Sequence, residues 1–215
     1  MPRVIVATLG FSVDFIIRRI TDIGGEKPAS IELVGLYTDD STWKRVEQTS
    51  SLITHYTGSL GIDTVLHRID ASPSIVRDVR RVIVEALDKA GRDGGVDLFL
   101  TGGPRILVVA ALVASMLVKD ELKKRITVTS YGEGFEASLS INLGLLAELS
   151  KLDDTSRIIV AEILRNQPVR AGRLLELTRL PRSTLYKKLG EMEEKGIVKG
   201  GRNGWMVARD VELLF

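Results

Sequence analysis

Four times in the first 119 residues a short strand-forming run gives way to a stretch with helical period, and this alternation constrains the fold more than any other feature. Residues 3–8 read as a strand. In 13–23 the apolar side chains at 13, 16, 17, 20 and 23 mark one helical face, which Gly24-Gly25 ends. The pattern repeats with strands over 31–37, 64–69 and 96–100 and helices over 43–57, 74–90 and 105–119, the third helix opened by capping residues in 70–74. A fifth strand over 125–131 turns at Gly132-Glu133-Gly134 into a sixth segment, 137–142, expected to return antiparallel. Strands joined by helices of this length imply crossover connections and a six-stranded, mostly parallel α/β sheet covered on both faces.

Beyond residue 144 the pattern changes. A connecting helix is expected over 145–152, then helices over 155–165 and 170–177. A third begins at Pro181, a residue favoured in a first helical turn, and ends at Gly196. The segment from Ile197 to Ala208, broken by a glycine-rich turn at 200–204, makes a hairpin. Three helices followed by a hairpin is the order of a small winged helix-turn-helix domain. The division expected is therefore 1–144 for the sheet domain, 145–152 for a linker helix and 153–215 for the winged domain.

The formal net charge of +2 conceals an asymmetry: residues 165–209 carry 11 Lys or Arg against 4 Glu and no Asp, a balance of +7 that leaves −5 for the rest. A positive lobe on a mildly negative body suits a nucleic-acid module joined to a domain that does not bind nucleic acid; a solvated basic face is the alternative. Cysteine is absent, which excludes disulfides, cysteine-ligated zinc and thiol nucleophiles together. The longest apolar stretch, 106–118, is too short to span a bilayer, and no secretory leader is apparent, so a cytoplasmic protein is expected.

Two turns carry the chemistry of the sheet domain. Thr8, Leu9, Gly10, Phe11 and Ser12 follow the first strand and open the first helix, where unpaired backbone N–H groups and the helix dipole favour an anion, and where Phe11 could stack on a base. A tight connection without a ligand is the alternative. Thr101, Gly102, Gly103, Pro104 and Arg105 follow the fourth strand: the glycines remove side chains where a ligand would approach, Pro104 presets the helix, and Arg105 sets a cation at its positive end. Both turns lie at carboxyl ends of strands, the ligand-binding edge of open α/β sheets. Neither matches G-x-G-x-x-G or the P-loop, which argues against NAD and against ATP hydrolysis.

In the winged domain Leu185, Leu189 and Met192 face the core, leaving Arg182, Ser183, Thr184, Tyr186, Lys187 and Lys188 on the N-terminal end and outer face of the third helix, the part that enters a major groove. Arg202 and Asn203 at the hairpin tip, beside Lys199, could lie along a neighbouring phosphate backbone. The same fold used for protein contacts is the alternative. No metal site, cofactor or catalytic residue is expected. His55 and His67 have no spaced carboxylate partner and read as surface or packing residues, Asp39-Asp40 as a helix cap or a ribose contact, and Tyr131 and Glu133 only as groups that reach the ligand edge.

On Thr8-Leu9-Gly10-Phe11, on Thr101-Gly102-Gly103-Pro104-Arg105 and on the domain order, the chain resembles the CRISPR-associated Rossmann fold (CARF) transcriptional regulators, an archaeal, type I-A associated family in which a sensor domain is fused to a winged helix-turn-helix. The resemblance implies a homodimer whose sensor halves hold a cyclic oligoadenylate, with cyclic tetra-adenylate the expected ring, and which binds double-stranded DNA to control transcription at CRISPR loci. Residues 8–12 and 101–105 would then bind the ligand, Arg105 on phosphate. The family commonly has Met where this chain has Pro104. Some relatives cleave their ligand slowly, so a ring nuclease is the alternative; binding without turnover is expected, because no general base is evident beside the turns.

Overall fold

The structure, a computed structural model, describes residues 3–23, 27–132, 134, 136–212 and 214. Gly24-Gly25 and Glu133 lie outside the described residues. The chain divides into two compact units, Met1–Gly144 and Leu145–Phe215.

In the first unit, β1 (Arg3–Leu9) pairs in parallel with β2 (Ser30–Tyr37) on one side and with β4 (Gly95–Phe99) on the other. β3 (Asp63–Asp70) extends the sheet beyond β2 and β5 (Ile126–Tyr131) beyond β4, both in parallel, and β6 (Ser138–Asn142) runs antiparallel at the β5 edge. The order is β3-β2-β1-β4-β5-β6, a Rossmann-like sheet. Residues Val4–Leu9 are all buried, as a central strand covered on both faces must be. Ile5, Ala7 and Leu9 pack with Ile16 of α1 (Asp14–Asp22) and with Val46 and Ile53 of α2 (Asp40–Ser59); α3 (Ile75–Lys89) and α4 (Arg105–Met116) also pack on the sheet.

This order places the ligand edge. From β1 the chain passes through α1 to β2 on one side; from β3 it returns through α3 to β4 on the other. The carboxyl ends of β1 and β4 are therefore adjacent at the point where the strand order reverses, the crevice in which open α/β sheets hold ligands. Two details differ from the sequence reading. A short helix, α5 (Asp120–Lys123), precedes β5, and α2 starts at Asp40, ahead of the expected 43, because Asp39 caps it and draws the first turn forward. α4 buries Leu107, Ala110, Ala111 and Ala114 but leaves Ile106, Val109, Leu112, Val113, Met116 and Leu117 between 40% and 59% exposed, a continuous apolar stripe.

The second unit is built on α6 (Leu143–Ser150), α7 (Asp154–Asn166), α8 (Ala171–Thr178) and α9 (Arg182–Glu194), followed by the antiparallel pair β7 (Val198–Gly201) and β8 (Gly204–Val207) and a last turn, α10 (Arg209–Glu212). Ile159, Ile163, Leu174, Leu185, Leu189 and Met192 form its core, as the helical spacing predicts. Leu145, Leu149 and Leu152 pack against that core, so the segment expected as a separate linker is part of this unit. Gly204 has φ +129, and a Cβ there would lie 2.6 Å from the carbonyl oxygen of Val169, which pairs with Trp205 alongside the hairpin; only glycine lets that third strand-like segment close on β8. Among the described residues no helix is long and apolar enough to cross a membrane.

Candidate functional site

The two turns meet backbone to backbone. A Cβ on Gly10 would lie 2.8 Å from the amide nitrogen of Gly103, one on Gly102 would lie 2.9 Å from the Thr8 carbonyl oxygen, and Gly103 has φ +93 with the Leu9 carbonyl 3.1 Å from where its Cβ would be. The Thr8 hydroxyl donates to the Gly102 carbonyl and locks the pair. The glycines were expected to clear space for a ligand. Their first task is to let one turn close on the other, since any side chain would meet main chain that cannot move aside.

The turns' residues divide accordingly. Thr8 and Leu9 are 2% and 1% exposed: the Thr8 side chain locks the turn and that of Leu9 fills the core, so what either can offer a ligand is main chain. Thr101 accepts a 2.9 Å hydrogen bond from the Tyr131 amide and ties the second turn to β5. Pro104 caps α4 with φ −60, the conformation a proline ring imposes. Arg105, the first residue of α4, is exposed and makes no hydrogen bond or ion pair with the described residues. Phe11 is 51% exposed, and the Arg45 guanidinium of α2 lies 3.9 Å above its ring.

At the start of α1 two side chains bond to each other. Ser12 donates a 2.9 Å hydrogen bond to the Asp14 carboxylate and accepts one of 3.2 Å from the Asp14 amide. Asp14 thus adds a carboxylate to the first turn of α1, at the positive end of the helix.

Beside the turns lies a polar network that local sequence pattern did not reveal. Asp97, fully buried in β4, is held by Arg19 Nε at 2.6 Å and by the Thr129 hydroxyl at 2.8 Å. Tyr131 stacks edge to face on Phe99 with ring centroids 5.1 Å apart; its hydroxyl donates to Asp22 at 3.0 Å and accepts from Arg19 at 3.3 Å. Burial, with the bond to Asp22, pushes the Tyr131 phenol up. A cleft of about 320 Å³ opens here between α1, β5 and β6. The alternation Thr127, Thr129, Tyr131 on one face of β5 was the available signal; the partners lie 78 and 109 residues away along the chain.

His67 is a correction: its Nε2 lies 2.7 Å from Glu32, which Lys89 and Ser30 also hold at 2.8 and 3.0 Å. Burial pushes the Glu32 carboxyl up, and the hydrogen bonds from His67, Lys89 and Ser30 outweigh it and bring it down to about 2. The partner comes from a neighbouring strand, out of reach of any spacing along the sequence. His55 stands on α2 without a bond to the described residues. Asp39 is the cap of α2, accepting from the Thr42 amide at 2.9 Å and from the Ser41 hydroxyl at 2.6 Å, which holds its carboxyl well below the usual range. Asp40 accepts from Tyr37.

On α9, Arg182, Ser183, Tyr186 and Lys187 are exposed and Thr184 is half-buried, with the Arg182 guanidinium 5.7 Å from the Tyr186 ring. Lys187 lies 3.9 Å from Glu191. Lys188 turns inward, 2.7 Å from Asp153 and 3.3 Å from Glu191, and joins α9 to the start of α7. Arg202 and Asn203 are exposed at the turn between β7 and β8.

No curated protein matches the chain significantly. Three solved structures are similar over most of it. Enterococcus italicus Csm6 bound to cyclic hexa-2'-fluoro-hexa-dAMP is 10% identical with a TM-score of 0.47, over 90% of this chain and 55% of that one. A type III CRISPR defence DNA nuclease activated by cyclic oligoadenylate is 13% identical with a TM-score of 0.47, over 96% and 37%. Protein VC1899 from Vibrio cholerae is 10% identical with a TM-score of 0.42, over 99% and 63%. The chain thus spans less than two thirds of each, and all three scores lie below 0.5, too distant to bear on its chemistry. The model of the Csa3 CRISPR-associated Rossmann-like domain matches residues 3–142, the whole of the sheet with both turns at its edge. On that match, the chain belongs to the Csa3 CRISPR-associated Rossmann-like domain family.

Proposed function

We propose that this protein is a ligand-responsive transcriptional regulator of CRISPR loci, which as a homodimer binds a cyclic oligoadenylate, cyclic tetra-adenylate in the first instance, at the carboxyl edge of the sheet, and double-stranded DNA through its second unit, a winged helix-turn-helix. The observation that carries the reading is the interlocked pair of turns at the strand-order reversal, with Arg105, whose guanidinium has no partner among the described residues, at the positive end of α4.

Dimerisation has its own support. A continuous stripe of six exposed apolar residues along α4 is the kind of patch that marks an association surface, and it begins one residue after Arg105. A two-fold pairing of these stripes sets two copies of the turns about one axis, and a cyclic tetranucleotide with the same symmetry satisfies both together. The DNA reading rests on the exposed Arg182, Ser183, Tyr186 and Lys187 on α9, on Arg202 and Asn203 at the hairpin tip, and on the +7 balance over residues 165–209. Ligand and DNA affinities are then linked through the dimer by a coupling of about 1–3 kcal/mol, roughly 5 to 150-fold.

Calorimetric titration with cyclic tetra-adenylate tests this: one ring per two chains is expected, with the ring recovered intact. Linear product would make the protein a ring nuclease, and the absence of binding would remove the ligand assignment.

A further inference from the structure

Two guanidiniums stand at the edge formed by the interlocked turns, and only one of them lies in either turn. Arg45 belongs to α2, a helix that supplies nothing to the site by sequence pattern, yet its guanidinium carbon sits 3.9 Å over the ring of Phe11 in the first turn. It is exposed, and its guanidinium forms no ion pair or hydrogen bond with the described residues; the one bond recorded for Arg45 runs from the Thr49 hydroxyl to its main-chain carbonyl, at 2.9 Å. The contrast within the same sheet is Arg68, stacked 3.5 Å over Tyr37 but also 3.3 Å from the Asp70 carboxylate, so that its charge is answered internally. The charge of Arg45 is not.

Stacking on a ring leaves the in-plane N–H donors of a guanidinium free while restricting its rotamers, which lowers the entropy lost on gripping an anion. Asp14 sets a negative charge in the first turn of α1, so a cation from another element is needed on that side of the edge. Gly10 in turn lies against Gly103, so Phe11 and Arg105 flank one junction between the turns.

We infer that Arg45, held in place by the Phe11 ring, is a second phosphate-binding residue of the ligand edge, paired in function with Arg105, one cation serving each turn. Phe11 is then a positioning residue for Arg45, with one face of its ring covered by the guanidinium. The inference rests on the ligand reading given above and adds to it a residue from outside both turns.

The test is titration of the full chain with cyclic tetra-adenylate at two salt concentrations, using wild type, Arg105→Ala, Arg45→Ala, Phe11→Leu and the Arg45→Ala/Phe11→Leu double variant. Arg45→Ala is expected to weaken binding about 10-fold or more and to flatten the salt dependence, as loss of a charge-assisted contact does. Phe11→Leu should weaken it less, and adding it to Arg45→Ala should cost little further, since the ring acts through the cation. Unchanged affinity in Arg45→Ala while Arg105→Ala weakens binding overturns this inference and leaves the ligand reading intact. A fully additive double variant removes the positioning role of Phe11. A wild type that does not bind the ring overturns both.

Discussion

At the scale of single residues, the glycines at the sheet edge tolerate no side chain without movement of main chain. Gly10→Ala puts a methyl group 2.8 Å from a main-chain nitrogen in the partner turn, and a loss of about 1–3 kcal/mol is expected, read as a lower denaturant midpoint. Arg105→Ala, an exposed change, should leave the midpoint where it is. Glu32 gives a pH dependence whose sign can be worked out. Its carboxyl is depressed from an ordinary 4.5 to about 2, so its contribution to stability is present above 4.5 and is lost as the pH falls toward 2. Denaturant midpoints across that window should therefore fall less steeply for Glu32→Gln than for wild type; identical slopes would contradict the assignment. Residue identity was partly legible beforehand. Asp39 as a cap and Leu185, Leu189 and Met192 as core follow from local chemistry and spacing. The Thr8 bond to Gly102, the Arg19 bond to Asp97 and the His67 contact with Glu32 join residues 94, 78 and 35 positions apart, and no local pattern encodes them.

At the scale of elements, strands and helices were legible because their periods differ, and boundaries moved by one to three residues, most at the start of α2, where Asp39 caps the helix, and at the end of α4, ahead of the short α5. α4 shows what periodicity cannot say. An all-apolar helix has no polar side to mark its outer face, so the sequence of 106–118 does not say which side is covered, and in the structure one stripe is exposed. If that stripe is the dimer contact, Val109→Asp should shift the protein from dimer to monomer in sedimentation at micromolar concentration; an unaltered dimer would place the interface elsewhere. On α9 the two adjacent lysines should part company. Lys187→Ala should reduce the slope of log DNA affinity against log salt by about 1, the loss of one phosphate contact. Lys188→Ala, whose ammonium serves Asp153 and Glu191, should lower the melting temperature and leave the slope nearly unchanged.

At the scale of the whole molecule, the chain pairs a family domain whose strand order reverses between two interlocking turns with a small basic unit that runs from α6 to α10 and holds the β7-β8 hairpin. The six-stranded, mostly parallel sheet was visible in the alternation of patterns. The closure of the turns on each other was not, because glycine in a turn announces only that a side chain is unwelcome and never names the neighbour. The central claim is that this closure, with Arg105, builds a seat for one symmetric anion shared by two chains. Its most direct test is the calorimetric stoichiometry of cyclic tetra-adenylate with wild type and Arg105→Ala. The account predicts 0.5 ring per chain, weakened about 10-fold or more by the substitution; a full ring per chain, or an affinity indifferent to Arg105, would contradict it.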